Sequence, residues 1–180
     1  RTNLVLQAAT VQPSSGGNPA SYTVDQVAPD GTTTASRQTA TDPRTLTDYT
    51  GIANAQYTFS FYCKVTSGTN ALGVFLKNAA SDTVIASTSF TATTSWQRVV
   101  VTGTTNGATT GARIEITGPV VGAPAGTVFW GAQLEVGAFP TSYIPTTTAT
   151  VTRSADVCSI SGSNFSSWYR QDEGTVFAIW

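Results

Sequence analysis

Histidine and methionine are absent from the 180-residue chain, and charged residues make up only 11% of it. The missing histidine removes the side chain that most often transfers protons at neutral pH and binds metals. A catalytic triad or a histidine-ligated metal therefore finds no support. The chain has 9 lysines and arginines against 10 aspartates and glutamates, so no basic surface for nucleic acid or an anionic membrane is visible. No apolar run is long enough to span a membrane.

Cysteine is also scarce, since the chain contains only Cys63 and Cys158, far apart in sequence. Cys63 falls in a strand pattern and is interpreted as a small buried apolar residue, which makes a disulfide with Cys158 the less favoured alternative. No methionine begins the chain, and its last residues, "GTVFAIW", resemble an apolar strand cut short. We therefore expect a fragment of a longer polypeptide.

Threonine, serine, glycine and alanine are abundant in place of charged residues. This composition favours strands and turns over long helices. The clearest strand is "QYTFSFYCKV", in which Tyr57, Phe59, Phe61 and Cys63 alternate with polar residues. The same alternation predicts further inward-facing residues, namely Leu72, Val74, Leu76, Val99, Val101, Ala112, Ile114 and Ile116.

A last strand, "TVFWGAQLEV", ends the run of alternating segments. Strict alternation puts one set inside, namely Val128, Trp130, Ala132 and Leu134. The same rule puts the other set outside, namely Phe129, Gly131, Gln133 and Glu135. Short strands separated by glycine, proline, asparagine and aspartate predict an all-β fold, an antiparallel β-sandwich of jelly-roll type.

Three regions follow from these patterns. Residues 1–137 are predicted to form the sandwich. Residues 138–162 are rich in threonine and contain Pro140 and Pro145, which fix the backbone and predict a stiff connector. Residues 163–180 are predicted to begin a second sandwich with its first strand.

Several segments, in this order, resemble a module of phage and prophage virion proteins, especially tail fibres, receptor-binding proteins and head spikes. They are "RTNLVLQ", "APDGTTTA", "YTFSFYCK", "FWGAQLEVGAFPTSYIPTTTATVTRSADV" and "SGSNFSSWYRQDEGTVF". The resemblance covers most of the chain and is weakest between Ser67 and Gly126. In that family the first domain is similar to a jelly-roll carbohydrate-binding module, and the segment after "NFSSWY" to the start of a concanavalin A-like lectin domain.

The resemblance implies a structural and adhesive part of a phage or phage-like particle, located at the virion surface after assembly in the bacterial cytoplasm. Its implied partners are virion proteins, sister subunits in a homotrimer and host cell-surface polysaccharide. Two other functions stay open. One is a capsid decoration or cement protein without a glycan ligand. The other is the accessory binding module of a polysaccharide-degrading enzyme.

A carbohydrate site needs aromatic rings that stack on sugar C–H faces and polar groups that hydrogen-bond hydroxyls. The residues of these types that alternate away from the expected core are Tyr62, Phe75, Arg113, Glu115, Phe129, Gln133 and Glu135. The sequence does not show that they share one face. Exposed aromatic residues also serve subunit interfaces, so a subunit contact or ordinary surface remains the alternative.

Large apolar side chains also occur in the connector, namely Phe139, Tyr143 and Ile144. We expect them to pack on the flank of the domain itself or on a neighbouring subunit. No cofactor is expected, although carbohydrate-binding jelly rolls often hold a structural calcium ion. The weak ligand candidates are Asp25, Asp30 and Glu135, and their spacing matches no calcium loop. "PDGT" is first of all a turn, which Asp30 can complete alone.

Catalysis is not expected in this chain. Glu115 and Glu135 could be imagined as a glycosidase pair, but the strand pattern sets no separation between them. "RQDEG" at 170–174 is interpreted as a charged rim before a strand. "NFS" at 164–166 matches a glycosylation acceptor, which a protein made in a bacterial cytoplasm would not use.

Overall fold

The computed structural model describes residues 1–6, 8–10, 21–41, 44–50, 54–106, 111–118 and 123–154, and for 44–50 it describes the backbone alone. These ranges contain the strands β1 (Thr2–Asn3), β2 (Tyr22–Gln26), β3 (Ala35–Gln38), β4 (Arg44–Thr50), β5 (Gln56–Val65), β6 (Asn70–Asn78), β7 (Val84–Ala92), β8 (Gln97–Thr104), β9 (Gly111–Thr117), β10 (Thr127–Val136) and β11 (Val151–Thr152). The predicted second sandwich at 163–180 and Cys158 lie outside the described residues.

Two sheets pack face to face and form the sandwich. One has five strands in the order β2-β3-β10-β5-β8, and the other has four in the order β4-β9-β6-β7. A two-stranded ribbon pairs β1 with β11. Every strand pair in the described part of the chain is antiparallel. The predicted fold class, an all-β antiparallel sandwich, is therefore confirmed. No helix within the described ranges is long and apolar enough to cross a membrane.

The main core lies between the two sheets, where alternate residues of β5, β6, β8 and β9 point inward. All twelve inward-facing residues predicted on β5, β6, β8 and β9 are buried there. Phe61 is at its centre, with ring centroids 6.1 Å from Phe90 and 6.0 Å from Phe129. Each such aromatic side chain contributes about 1.5–3 kcal/mol by leaving water, so this layer dominates the stability of the sandwich.

A β-bulge in β10 changes which face its residues occupy. Trp130 pairs with Tyr62 and Gln133 with Ser60, so two residues of β10 stand opposite one of β5. Gly131 supplies the left-handed backbone, at φ 65°, that this extra residue needs.

The bulge makes three of the eight faces predicted for β10 wrong. Phe129 was predicted outside but is fully buried in the main core, while Val128 and Trp130 were predicted inside but lie on the outer face. After the bulge the alternation is restored, and Leu134 points inward opposite Phe59 as predicted. One extra residue inverts the alternation, and a prediction from strict alternation does not take such a residue into account.

A second apolar cluster covers part of the outer face of the five-stranded sheet. Its buried members are Ala28, Ala35, Val128 and Trp130, and partly buried residues pack on them, including Tyr62, Trp96 and Tyr143. The indole Nε1 of Trp130 donates to Thr34 Oγ1 at 3.0 Å, so its polar atom is satisfied. Val128 and Trp130, which the alternation rule placed inside, are therefore buried in a cluster of their own.

The glycines at 131 and 68 provide a matched test of the bulge. Both have left-handed φ, 65° and 64°, but a Cβ at Gly131 would lie 3.2 Å from Tyr62 Cδ2, while Gly68 has nothing within 4 Å. Gly131→Ala and Gly68→Ala should each lower the free energy of unfolding by about 1 kcal/mol, because alanine is strained at this backbone conformation. Gly131→Ala should lower the free energy of unfolding by about 1 kcal/mol more than Gly68→Ala, because the Tyr62 ring must move. Urea unfolding measures both, and equal losses would contradict the packing role of Gly131.

Candidate functional site

Residues 138–146, called the return strap here, run back across the outer face of the five-stranded sheet. The chain reverses at Gly137, whose φ of 132° favours glycine and whose N–H donates to Gln56 O at 2.8 Å. Thr58 Oγ1 donates to Gly137 O at 2.7 Å from the sheet below. The first part of the predicted connector is thus attached to the sandwich.

Gln133 and Glu135 hold the return strap, and both are fully buried. One carboxylate oxygen of Glu135 accepts from Thr141 N at 2.9 Å and from Gln133 Nε2 at 2.6 Å, and the other accepts from Thr141 Oγ1 at 2.6 Å. Gln133 Oε1 accepts from Ile144 N at 2.6 Å. These bonds explain why a strand ends in two polar residues: they satisfy the backbone of the segment that follows it.

Two residues that the sequence did not single out also fix the return strap. Arg98 donates from one guanidinium nitrogen to Thr141 O at 2.6 Å and to Ser60 Oγ at 3.0 Å. Asn3, fully buried in β1, donates from Nδ2 to Ile144 O at 2.8 Å. No local pattern in the sequence could have found these contacts, because the partners are far apart in the chain.

The apolar residues predicted as docking contacts occupy different environments. Tyr143 packs on Trp130 with ring centroids 4.5 Å apart, and burial raises the pKa of its phenol well above the ordinary value. Ile144 is buried against the same domain, while Phe139 is 61% exposed, with the Arg1 guanidinium 5.0 Å from its ring centroid. Tyr143 and Ile144 therefore follow the expectation of packing on the domain's own flank.

Burial removes three residues from the predicted carbohydrate site. Gln133 and Glu135 point away from the core as predicted, but the return strap buries them, and Phe129 is in the main core. Their assignment to sugar binding is wrong, because a ligand cannot reach fully buried groups. Tyr62 stays half-buried on this face, between Trp130 and Arg98.

The other three predicted residues meet on the outer face of the four-stranded sheet. Phe75 in β6 stands opposite Glu115 in β9, and Arg113 stands opposite Lys77. Lys77, which the sequence did not single out, donates from Nζ to Glu115 at 2.8 Å and to Asp82 at 3.4 Å. Its pKa is raised chiefly by the hydrogen bond to Glu115. Arg113 pairs with Asp82 at 3.3 Å, so each cation here faces a carboxylate.

A shallow groove of about 390 Å³ adjoins Phe75 on this face. The Phe75 ring lies across Gly73, where an added Cβ would stand 2.9 Å from a ring carbon. The lining residues are Ala71, Leu72, Gly73, Phe75, Ser89, Phe90, Thr91, Thr117 and Gly118. The groove therefore offers the flat ring of Phe75 and several hydroxyl groups, with charged residues present only as neutralised pairs beside it.

All three calcium candidates make other polar contacts, and Glu135 is the residue that accepts from Thr141 in the return strap. Asp25 is ion-paired with Arg37, whose hydrogen bonds lower the pKa of Asp25. Asp30 accepts from Thr32 N at 3.0 Å and Thr32 Oγ1 at 2.7 Å, as a turn residue does, and these bonds lower its pKa. In the described part of the chain no three histidine, cysteine, aspartate or glutamate residues are grouped as a metal site.

The imagined glycosidase pair is separated by the sandwich. Glu115 lies on the outer face of the four-stranded sheet, and Glu135 lies on the outer face of the five-stranded sheet beneath the return strap. A glycosidase needs its two carboxylates on either side of one bond. These two residues therefore cannot form such a pair.

Comparisons with known proteins find similar structures without a close relative. No family model and no curated protein matches the chain. The xylan-binding CBM22-1 domain from Paenibacillus barcinonensis Xyn10C has a TM-score of 0.51 at 13% identity, over 71% of this chain and 91% of that domain. A CBM4 structure has a TM-score of 0.49 at 15% identity, over 76% of this chain and 95% of its own.

A third similar structure is the arabinose-bound α-L-arabinofuranosidase MgGH51, with a TM-score of 0.48 at 16% identity over 75% of this chain and 26% of that chain. At such identities the likeness concerns the fold alone. The fold is a jelly-roll β-sandwich similar to that of the CBM22-1 domain, and the predicted jelly-roll type is confirmed.

Replacing Glu135 tests how the return strap is held. Glu135→Ala leaves three hydrogen bonds without their acceptor, two of them from Thr141, and should lower the free energy of unfolding by about 3 kcal/mol. Glu135→Gln should lose only about 1–2 kcal/mol, because the Thr141 hydroxyl can reverse and accept from the new amide.

Glu115→Ala is the matched control for Glu135. It removes the same side chain from a partly exposed ion pair and should change the free energy of unfolding by less than about 1 kcal/mol. Chemical denaturation of the three variants gives the comparison. A loss at Glu115 as large as the loss at Glu135 would contradict the role assigned to the buried carboxylate.

Proposed function

We propose that this chain is a non-catalytic glycan-binding module that recognises polysaccharide on the outer face of its four-stranded sheet. The observation that carries the proposal is the Phe75 ring, which lies across Gly73 beside the hydroxyl-lined groove. The outer face of the five-stranded sheet is the weaker alternative, because the return strap and the second apolar cluster cover much of it.

The chemistry of the groove suits a sugar ring. An aromatic face attracts the C–H groups of a pyranose, while Ser89, Thr91 and Thr117 supply hydroxyls that both donate and accept. Lys77 and Glu115 beside Phe75 are already paired, so they can bond sugar hydroxyls without demanding a charged ligand. The similarity of the fold to a xylan-binding domain supports the proposal independently of the groove.

We further propose that the module is displayed on a phage or phage-like particle and attaches it to polysaccharide of the host cell surface. This part rests on the sequence resemblance, which also suggests a homotrimer and docking on other virion proteins. A shallow, open groove gives weak individual binding. Many copies on one particle would raise the effective affinity by factors of about 10²–10⁴.

The direct test compares Phe75 with an aromatic residue outside the groove, Phe139. The 180-residue chain, coupled to beads in many copies, is exposed to a panel of neutral polysaccharides, and retention is measured. Phe75→Ala should lower retention of the bound polysaccharide at least about tenfold, because it removes the stacking surface. Phe139→Ala removes an exposed ring outside the groove and should leave retention unchanged.

Gly73→Ala refines the same test. The added methyl forces the Phe75 ring to shift without removing it, so retention should fall by less than in Phe75→Ala. Urea unfolding shows whether each variant is folded. Unchanged retention for folded Phe75→Ala would overturn the assignment of the groove, and no retention of any polysaccharide by the folded chain would favour a docking or connecting role.

A further inference from the structure

A block of alternating rings and cations lies on the outer face of the five-stranded sheet, away from the groove. Tyr62 and Lys64 are two residues apart on β5, and Arg98 stands opposite Tyr62 on β8. Trp96 directly precedes β8 beside Lys64. Each cation stacks on the ring from the adjacent segment: Arg98 Cζ is 5.5 Å from the Tyr62 centroid, and Lys64 Nζ is 4.9 Å from that of Trp96.

The charge of this block is not compensated. Among the described residues neither Lys64 nor Arg98 has a carboxylate within ion-pair distance, whereas Arg37, Lys77 and Arg113 each have one. Arg98 Nε is buried without a hydrogen-bond partner. All four side chains of the block are partly exposed. The surface therefore carries two positive charges, held in place by stacking, in a chain whose net charge is -1.

We infer that this block, Tyr62, Lys64, Trp96 and Arg98, is a second glycan-binding surface, specific for saccharides that carry carboxylates. A uronic acid offers a C–H face for a ring and an anion for an ammonium or guanidinium group, which are the two chemistries that the block alternates. The inference is independent of the groove at Phe75, whose cations are already neutralised.

Charge complementarity favours an acidic saccharide over nucleic acid as the occupant. Nucleic-acid binding draws its affinity from many phosphate contacts, commonly about 6–10. The block has two cations, and the Arg98 guanidinium also holds the return strap through Thr141 O. A polymer with one carboxylate per sugar requires far fewer cations, because stacking on Tyr62 and Trp96 supplies the rest of the binding energy.

The test measures retention of the 180-residue chain on immobilised polygalacturonate and on its fully methyl-esterified form, at low and at physiological salt. We expect retention on the acid form alone, weakened by salt. Lys64→Gln should weaken it about tenfold, the effect of one charge-assisted hydrogen bond. Trp96→Leu should also weaken it, because it removes the ring on which Lys64 is held.

Two controls separate this surface from net charge and from exposed rings elsewhere. Arg1→Gln removes a cation at another place that likewise has no described carboxylate partner, and Phe139→Ala removes an exposed ring outside the block, so both should leave polygalacturonate retention unchanged. Equal retention on both polymers, no retention by the folded chain, or no loss in folded Lys64→Gln would overturn the inference. Stronger retention on oligothymidylate than on polygalacturonate would also overturn it, in favour of nucleic acid.

Discussion

The buried carboxylate of Glu135 is the interaction on which the arrangement of the outer surfaces depends. Burying a charge is costly unless hydrogen bonds compensate it, and here donors from Thr141 and Gln133 do so. The same bonds hold the return strap over the five-stranded sheet. Asn3 extends the network to the N-terminal strand, since it bonds Ile144 O on one side and Leu134 N on the other. The strap, β10 and β1 are therefore fixed together.

The bulge at Gly131 makes this arrangement possible. β10 lies in the middle of the five-stranded sheet, so its residues must serve both the main core and the outer surface. Before the bulge, Phe129 fills the core and Trp130 the outer cluster. After it, Leu134 returns to the core while Gln133 and Glu135 meet the strap. Without the extra residue, the two polar side chains would point into the apolar interior.

The sequence predicted the fold well wherever strands alternate regularly. The inward faces of β5, β6, β8 and β9 were all correct, since each of these strands has one face toward the core. It failed on β10, because a bulge leaves no mark in a period-two pattern beyond a glycine, and glycine occurs 16 times in the chain. The buried state of Gln133 and Glu135 could not be foreseen either, since the strap that covers them is set by tertiary contacts.

Most residues of the predicted carbohydrate site are divided between two opposite outer faces for a related reason. Alternation shows which side chains leave the core but not which of two sheets carries them, so Tyr62 and Phe75 were grouped although they lie on opposite outer faces. Phe75, Arg113 and Glu115 did come together, because β6 and β9 are neighbours. Lys77 and Arg98 were overlooked because their importance depends on partners 38 and 43 residues away.

The proposed function depends on the groove at Phe75, and the most direct test locates the bound glycan. A two-dimensional NMR titration of the ¹⁵N-labelled chain with oligosaccharides cut from the polysaccharide that the beads retain reports every perturbed amide. The account predicts that the largest shifts occur in β6, β9 and β7, around Gly73, Phe75 and Ser89. Shifts confined to the five-stranded sheet, or none at saturating ligand, would contradict it.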